Sequence, residues 1–160
     1  MEECTALLED FCRISGTARG PRMELASRYE AKGDLASLER VLGEILEVDP
    51  YQREIQKRRA VALLDLGKFN EAARSAKLAR LVDPMREPPK PNNPNAPRAG
   101  FDSDEEKIDR AECWAIEAQA WLSAKKPNEA KDALKEALRL DASNERALQV
   151  KERLETERTR

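Results

Sequence analysis

The side chains able to do chemistry in this chain are restricted in kind. Its 160 residues include no histidine. That removes Ser–His–Asp and Cys–His catalysis and any histidine-ligated metal. Three cysteines remain, Cys4, Cys12 and Cys113. Cys4 and Cys12 read as residues of one helix, about 12 Å apart along it at ~1.5 Å of rise per residue. A disulfide requires Cα atoms within about 7 Å. Free thiols are therefore expected, which fits a reducing, cytoplasmic setting. Nothing nearby would lower a thiol pKa, so all three are expected as small core hydrophobes. The densest acidic group is DSDEE at 102–106. It lacks the glycine and the distant glutamate of a calcium loop. A helix start favours such charges without any ligand. No GxxxxGK, GxSxG or HExxH pattern occurs. The sequence thus predicts no enzyme, no catalytic residue, no cofactor and no metal.

The elements that carry these side chains read as helices. Charged residues make up 38% of the chain, aromatics 4%, and there are only 6 glycines. A sandwich or barrel needs aromatics, β-branched runs and Gly-rich turns. Lys plus Arg is 29 against 31 for Asp plus Glu, a net charge of −2. No basic surplus is available for nucleic acid, so none is expected as a partner. No apolar run approaches the roughly 18 residues of a membrane span, and no basic start precedes an apolar stretch. Membrane insertion is not expected.

Self-similarity decides the fold. Ala26, Tyr29, Gly33, Leu42 and Pro50 recur 34 residues later as Ala60, Leu63, Gly67, Ala76 and Pro84. Each stretch is an apolar-periodic helix, a Gly turn, a second helix and an Asp-Pro stop. Glycine suits the left-handed position that closes a helix, and proline cannot continue one. A third copy starts near Ala111 and carries Trp114, Ala118, Trp121, Ala130 and Ala137 in the same frame. It departs at Lys125, where glycine should stand, and at Ala142, where proline should. Repeat 1 departs at Leu38 and Ile45, which replace small residues and predict a looser or shifted helix pair. The stretches resemble tetratricopeptide repeats (TPR), helix pairs held close by alanines. The resemblance implies an all-α, right-handed solenoid of about three TPR pairs, with an extra N-terminal helix and a C-terminal capping helix. Stacking buries apolar stripes that one pair could not cover. Leu63, Phe69, Trp114 and Trp121 are expected in the core.

The whole chain, 1–160, reads as a single domain. Its parts are an N-terminal helix (3–15), repeat 1 (19–52), repeat 2 (53–86), a Pro/Asn-rich loop (87–103), repeat 3 (104–142) and a cap (143–157). Residues 3–15 fit the second helix of a repeat that lacks its first, and equally a plain amphipathic helix packed on repeat 1. The first reading implies a piece of a longer array or an apolar notch offered to a partner; separately, a homodimer through the apolar face of 3–15 is an option. The loop holds Pro88, Pro89, Pro91, Pro94 and Pro97, which exclude helix or sheet interior. An inert connector, a P-x-x-P ligand and a phosphorylation site at Ser103 are its three readings. Ser103 and Glu106 form a capping box, which starts repeat 3 early, near Asp104. Ser143 or Asn144 can cap the last helix. Lys151, Glu152 and Glu155 there give the polar outer face that ends a solenoid.

In TPR domains the first helix of each pair lines a concave groove. The resemblance places Met23, Ser27 and Glu30 there from repeat 1. Repeat 2 supplies Glu54, Lys57, Val61, Leu64 and Asp65, and repeat 3 supplies Glu112, Ala115, Gln119, Leu122 and Ser123. One subgroup grips the C-terminal carboxylate of heat-shock chaperones with lysines, asparagines and an arginine. The corresponding positions here include Met23, Ser27, Glu112 and Ile116, and only Lys57 and Arg58 are cationic nearby. That clamp is not matched. The leading expectation is a non-catalytic module that binds a protein or peptide in the groove. The rivals are an accessory region of a larger protein, such as a bacterial peptidase, and a self-assembling structural unit.

Overall fold

The computed structural model describes residues 2–82 and 103–158. The expected 87–103 loop, apart from Ser103, and the stop at Pro84 lie outside the described residues. Eight helices are described: α1 (Glu2–Ile14), α2 (Arg19–Lys32), α3 (Leu35–Val48), α4 (Arg53–Asp65), α5 (Phe69–Leu81), α6 (Asp104–Ser123), α7 (Pro127–Leu140) and α8 (Glu145–Arg158). There is no strand among the described residues. Each helix packs on its neighbours in the chain, and among the described residues the only other close pairs are α4 with α6 and α6 with α8. This is an all-α helical solenoid.

Local sequence explains where helices begin and end. Gly33 and Gly67 take left-handed backbone, with φ of 71° and 75°, and close α2 and α4. Lys125 occupies the same position after α6 with φ of 58°, the one positive value on a non-glycine among the described residues. Asp34 caps α3 by accepting the Ser37 N–H at 3.1 Å, and Asn144 caps α8 by accepting that of Ala147 at 2.9 Å. Pro127 opens α7, where its missing N–H costs nothing. Ser103 Oγ accepts the Glu106 N–H at 3.2 Å. The capping box is one-sided, however, because the Glu106 carboxylate turns away to Arg53.

The core runs along the rod in three clusters. The first joins α1 to α4 through Cys12, Leu25, Leu42 and Ile55. The second centres on α4–α6 through Leu63, Ala72, Ala76 and Ile116. The third joins α6 to α8 through Ala118, Ala130, Ala137 and Val150. Ala26, Ala60 and Ala118 are fully buried, so small residues sit where helices meet. Leu38 and Ile45 are buried too, so repeat 1 accommodates its larger residues. Nearby, Gly43 leaves space that the Arg59 guanidinium fills at 3.7 Å from an ideal Cβ.

The expected burial changes at four residues. Phe69, Trp114 and Trp121 pack against the clusters but stay half-buried. The exposed ring faces are used: Arg80 lies 3.6 Å over Trp114 and Lys126 4.6 Å over Trp121. Cys12 and Cys113 are buried, but Cys4 is exposed, because the side of α1 that carries it faces solvent.

Candidate peptide-binding groove

The site is built on α4, which presents its polar side between α2 and α6. The short Gly33 turn brings the start of α3 beside it. Together these elements enclose a cavity of about 320 Å³. Its apolar lining is Leu35 and Leu38 from α3, Val61 and Ala62 from α4, and Ile116 from α6. Its charged lining is Glu30, Glu54, Lys57, Arg58, Asp65 and Glu112.

The ion pairs that shape the rim cross between helices. Arg58 reaches Glu30 at 2.8 Å, tying α4 to α2. Lys57 reaches Asp109 at 2.7 Å and Glu54 at 2.9 Å, tying α4 to α6. Burial works against the Lys57 charge, yet its bonds to Asp109 and Glu54 outweigh that and hold the ammonium above the ordinary lysine range. Below it, the Arg53 guanidinium is fully buried. It donates to Glu106 at 2.5 Å and to the carbonyls of Ala79 (3.1 Å) and Val82 (2.6 Å). Burial pushes the neighbouring Cys113 thiol up to about 12.

The residues expected from sequence divide by where the fold places them. Glu30, Glu54, Lys57, Val61, Asp65 and Glu112 come together around the cavity. Leu64, Ala115 and Leu122 are buried in the core clusters and present no open surface. Met23 packs half-buried on the first cluster, and Ser27 turns its hydroxyl back to the Met23 carbonyl at 3.1 Å. Gln119 accepts from Arg146 of α8 at 2.6 Å, and Arg146 also reaches Glu112 at 2.8 Å. Asn144 adds a 3.0 Å bond to Glu112. These bonds hold the start of α8 against the side of α6 that carries Glu112 and Gln119. Ser123 lies elsewhere, in a second cavity with Gly67, Phe69 and Lys125. Leu35, Leu38 and Asp109 were not expected. The first two come from the second helix of repeat 1, and Asp109 from the early turns of α6.

No group of His, Cys, Asp or Glu among the described residues could hold a metal ion. No helix among them is long and apolar enough to cross a membrane.

No protein-family model matches the chain, and no curated protein does. Solved structures do. The second TPR domain of human RPAP3, in complex with the HSP70 peptide SGPTIEEVD, has a TM-score of 0.63 at 17% identity, over 84% of this chain and 92% of that one. The first TPR of Spaghetti (RPAP3), bound to the HSP90 peptide SRMEEVD, has a TM-score of 0.62 at 18% identity, over 86% and 90%. The Arabidopsis OM64 TPR domain has a TM-score of 0.63 at 18% identity, over 85% and 93%. The chain has the fold of a tetratricopeptide-repeat domain.

Proposed function

We propose that this chain is a non-catalytic protein-interaction module that holds a peptide or helix in its concave groove. The observation that carries the reading is the cavity on α4, an apolar floor inside a charged rim, sized for a side chain of a partner. Two neighbours of the same fold are bound to peptides, which supports a protein partner over nucleic acid or membrane. The test places a photo-cross-linking side chain at Val61 in the groove or at Lys77, exposed on α5. Specific capture of a polypeptide from 61 and not from 77, lost on adding Glu30→Arg at the rim, is the expected result. Equal capture from both positions overturns the reading. Leu64 is unsuitable for such a test, since it is buried and a charge there would unfold the domain.

A second reading rests on α1, which leaves Leu7, Phe11 and Ile14 exposed on one stripe. It proposes self-assembly through residues 3–15. Sedimentation over a wide concentration range checks it: a dimer abolished by Phe11→Glu is expected, and a strict monomer removes it.

A further inference from the structure

We infer that the segment this groove takes is cationic: an apolar side chain flanked by lysine or arginine. The inference rests on the groove reading above and adds the chemistry of the occupant. The cavity is lined by Glu30, Glu54, Asp65 and Glu112 against Lys57 and Arg58. The pairing within this set is unequal in depth. The Lys57 side chain is 14% exposed, whereas its partners Glu54 and Asp109 are 70% and 42% exposed. The Arg58 side chain is 18% exposed and its partner Glu30 55%. Each pair therefore turns its acid to water and hides its cation. Asp65 is exposed and has no ion-pair partner among the described residues. Glu112 is already engaged by Arg146 and Asn144, so Glu30, Glu54 and Asp65 carry the surface charge.

An entering carboxylate would have to displace Glu30 or Glu54 from a formed pair and lie among the other acids. Like charges at such range cost more than the new contact returns. An entering cation meets exposed carboxylates without breaking anything buried. The floor of Leu35, Leu38, Val61, Ala62 and Ile116 then accepts the apolar side chain between the cations. This is the reverse of what the acidic ends of SGPTIEEVD and SRMEEVD present.

The experiment titrates isotope-labelled protein with three peptides and follows the amides of Val61 and Ile116. The first peptide is Ser-Gly-Lys-Leu-Arg-Gly-Ser. The second replaces its cations with glutamine, and the third is SRMEEVD. The cationic peptide is expected to bind at least about tenfold more tightly than either other, and to weaken as salt is raised. The double change Glu30→Gln/Asp65→Asn is expected to reduce its affinity about tenfold, with an unchanged thermal midpoint showing that the fold is intact. Glu129→Gln, on the exposed start of α7, is expected to leave binding unchanged. Failure of the cationic peptide to outbind the other two overturns the charge assignment. If SRMEEVD or the glutamine peptide then perturbs Val61 and Ile116, the groove reading stands without it. Perturbations confined to α5 and α7 overturn both.

Discussion

Two arginines do the same task in two parts of this solenoid, and they differ in depth. Arg22 of α2 donates to the carbonyls of Cys12 (3.0 Å) and Ser15 (3.1 Å), where α1 ends, and to that of Ala18 (3.0 Å), the N-cap of its own helix. Arg53 of α4 donates to those of Ala79 and Val82, where α5 ends. Each also pairs with a carboxylate on a third helix, Glu44 of α3 at 3.2 Å and Glu106 of α6 at 2.5 Å. The Arg53 and Glu106 side chains are 1% and 3% exposed, while Arg22 and Glu44 are 8% and 32% exposed. Three mutually packed helices close around Arg53. Arg22 sits under α1, which rests on α2 and leaves its outer face to solvent. A cation that satisfies helix-end carbonyls is thus part of the global fold where helices enclose it. It is part of a local fastening where one side is open.

The largest effect follows from the enclosed arginine. Arg53→Met strips the partner from a buried carboxylate and the donor from two carbonyls. It is expected to cost about 3–5 kcal/mol, read as a lower urea midpoint for the whole domain. Glu106 Oε1 already has no hydrogen-bond partner among the described residues. Adding Glu106→Leu therefore removes an unsatisfied charge and should return part of the loss. A double variant as unstable as the single would mean that the carbonyl bonds, and not the ion pair, hold α4, α5 and α6 together.

Next in size is the open arginine. Arg22→Ala is expected to cost about 1–3 kcal/mol, confined to α1. Cysteine labelling separates the two regions: Cys12 lies on the buried face of α1 itself and Cys113 on that of α6. Iodoacetamide at pH 8 should label Cys12 faster in the variant and leave Cys113 unlabelled. A matching rise at Cys113 would show that α1 is no separate unit. Tyr29 fastens the same helix more weakly, donating its hydroxyl to Glu9, which also accepts from Arg40 at 2.5 Å. Burial, then the bond to Glu9, pushes the Tyr29 phenol up to about 12 from 10. The fold favours the neutral phenol, so its contribution is complete below pH 10 and is lost as pH rises toward 12. Tyr29→Phe should cost about 1 kcal/mol at neutral pH and flatten the loss of helical signal across that alkaline window. An unchanged alkaline profile would dissociate Tyr29 from the docking of α1.

The contrast between the two arginines was invisible in the sequence, and the reason is physical. Repeat frame, turn position and helix order follow from local rules: Gly33 and Gly67 stand where backbone must turn left-handed, and alanines stand where helices touch. Asp104, Glu105 and Glu106 look alike at a helix start, and only packing chooses Glu106 for Arg53, 53 positions away. The residues expected in the groove divide in the same way. The repeat frame puts Glu30, Glu54, Lys57, Val61, Asp65 and Glu112 around the cavity on α4. It misplaced Leu64, Ala115 and Leu122 because one step along a helix turns a side chain by roughly 100°, enough to move it from open to covered. Leu35 and Leu38 reach the cavity only because the hairpin turn is tight, which helix periodicity alone does not encode.

The smallest expected effect widens the difference between the two ends. Lys125 holds φ of 58° at the turn between α6 and α7, a conformation that a side chain disfavours and glycine accepts freely. Its N–H bonds the Leu122 carbonyl at 3.0 Å and the Lys126 N–H that of Trp121 at 2.9 Å, so the turn is required. Lys125→Gly relieves the steric cost but increases the freedom of the unfolded chain, and the two terms oppose. The first is the larger at a left-handed position, so a net gain of about 0.5–1 kcal/mol is expected. Because nearest-neighbour contacts carry stability along such a rod, the gain should appear at α6–α8 and fade toward α1. Amide exchange resolves this: slower exchange in α7 with an unchanged rate in α1 is the expected pattern. Uniform slowing in both would show that α1 opens only with the whole domain, which would erase the distinction drawn between Arg22 and Arg53.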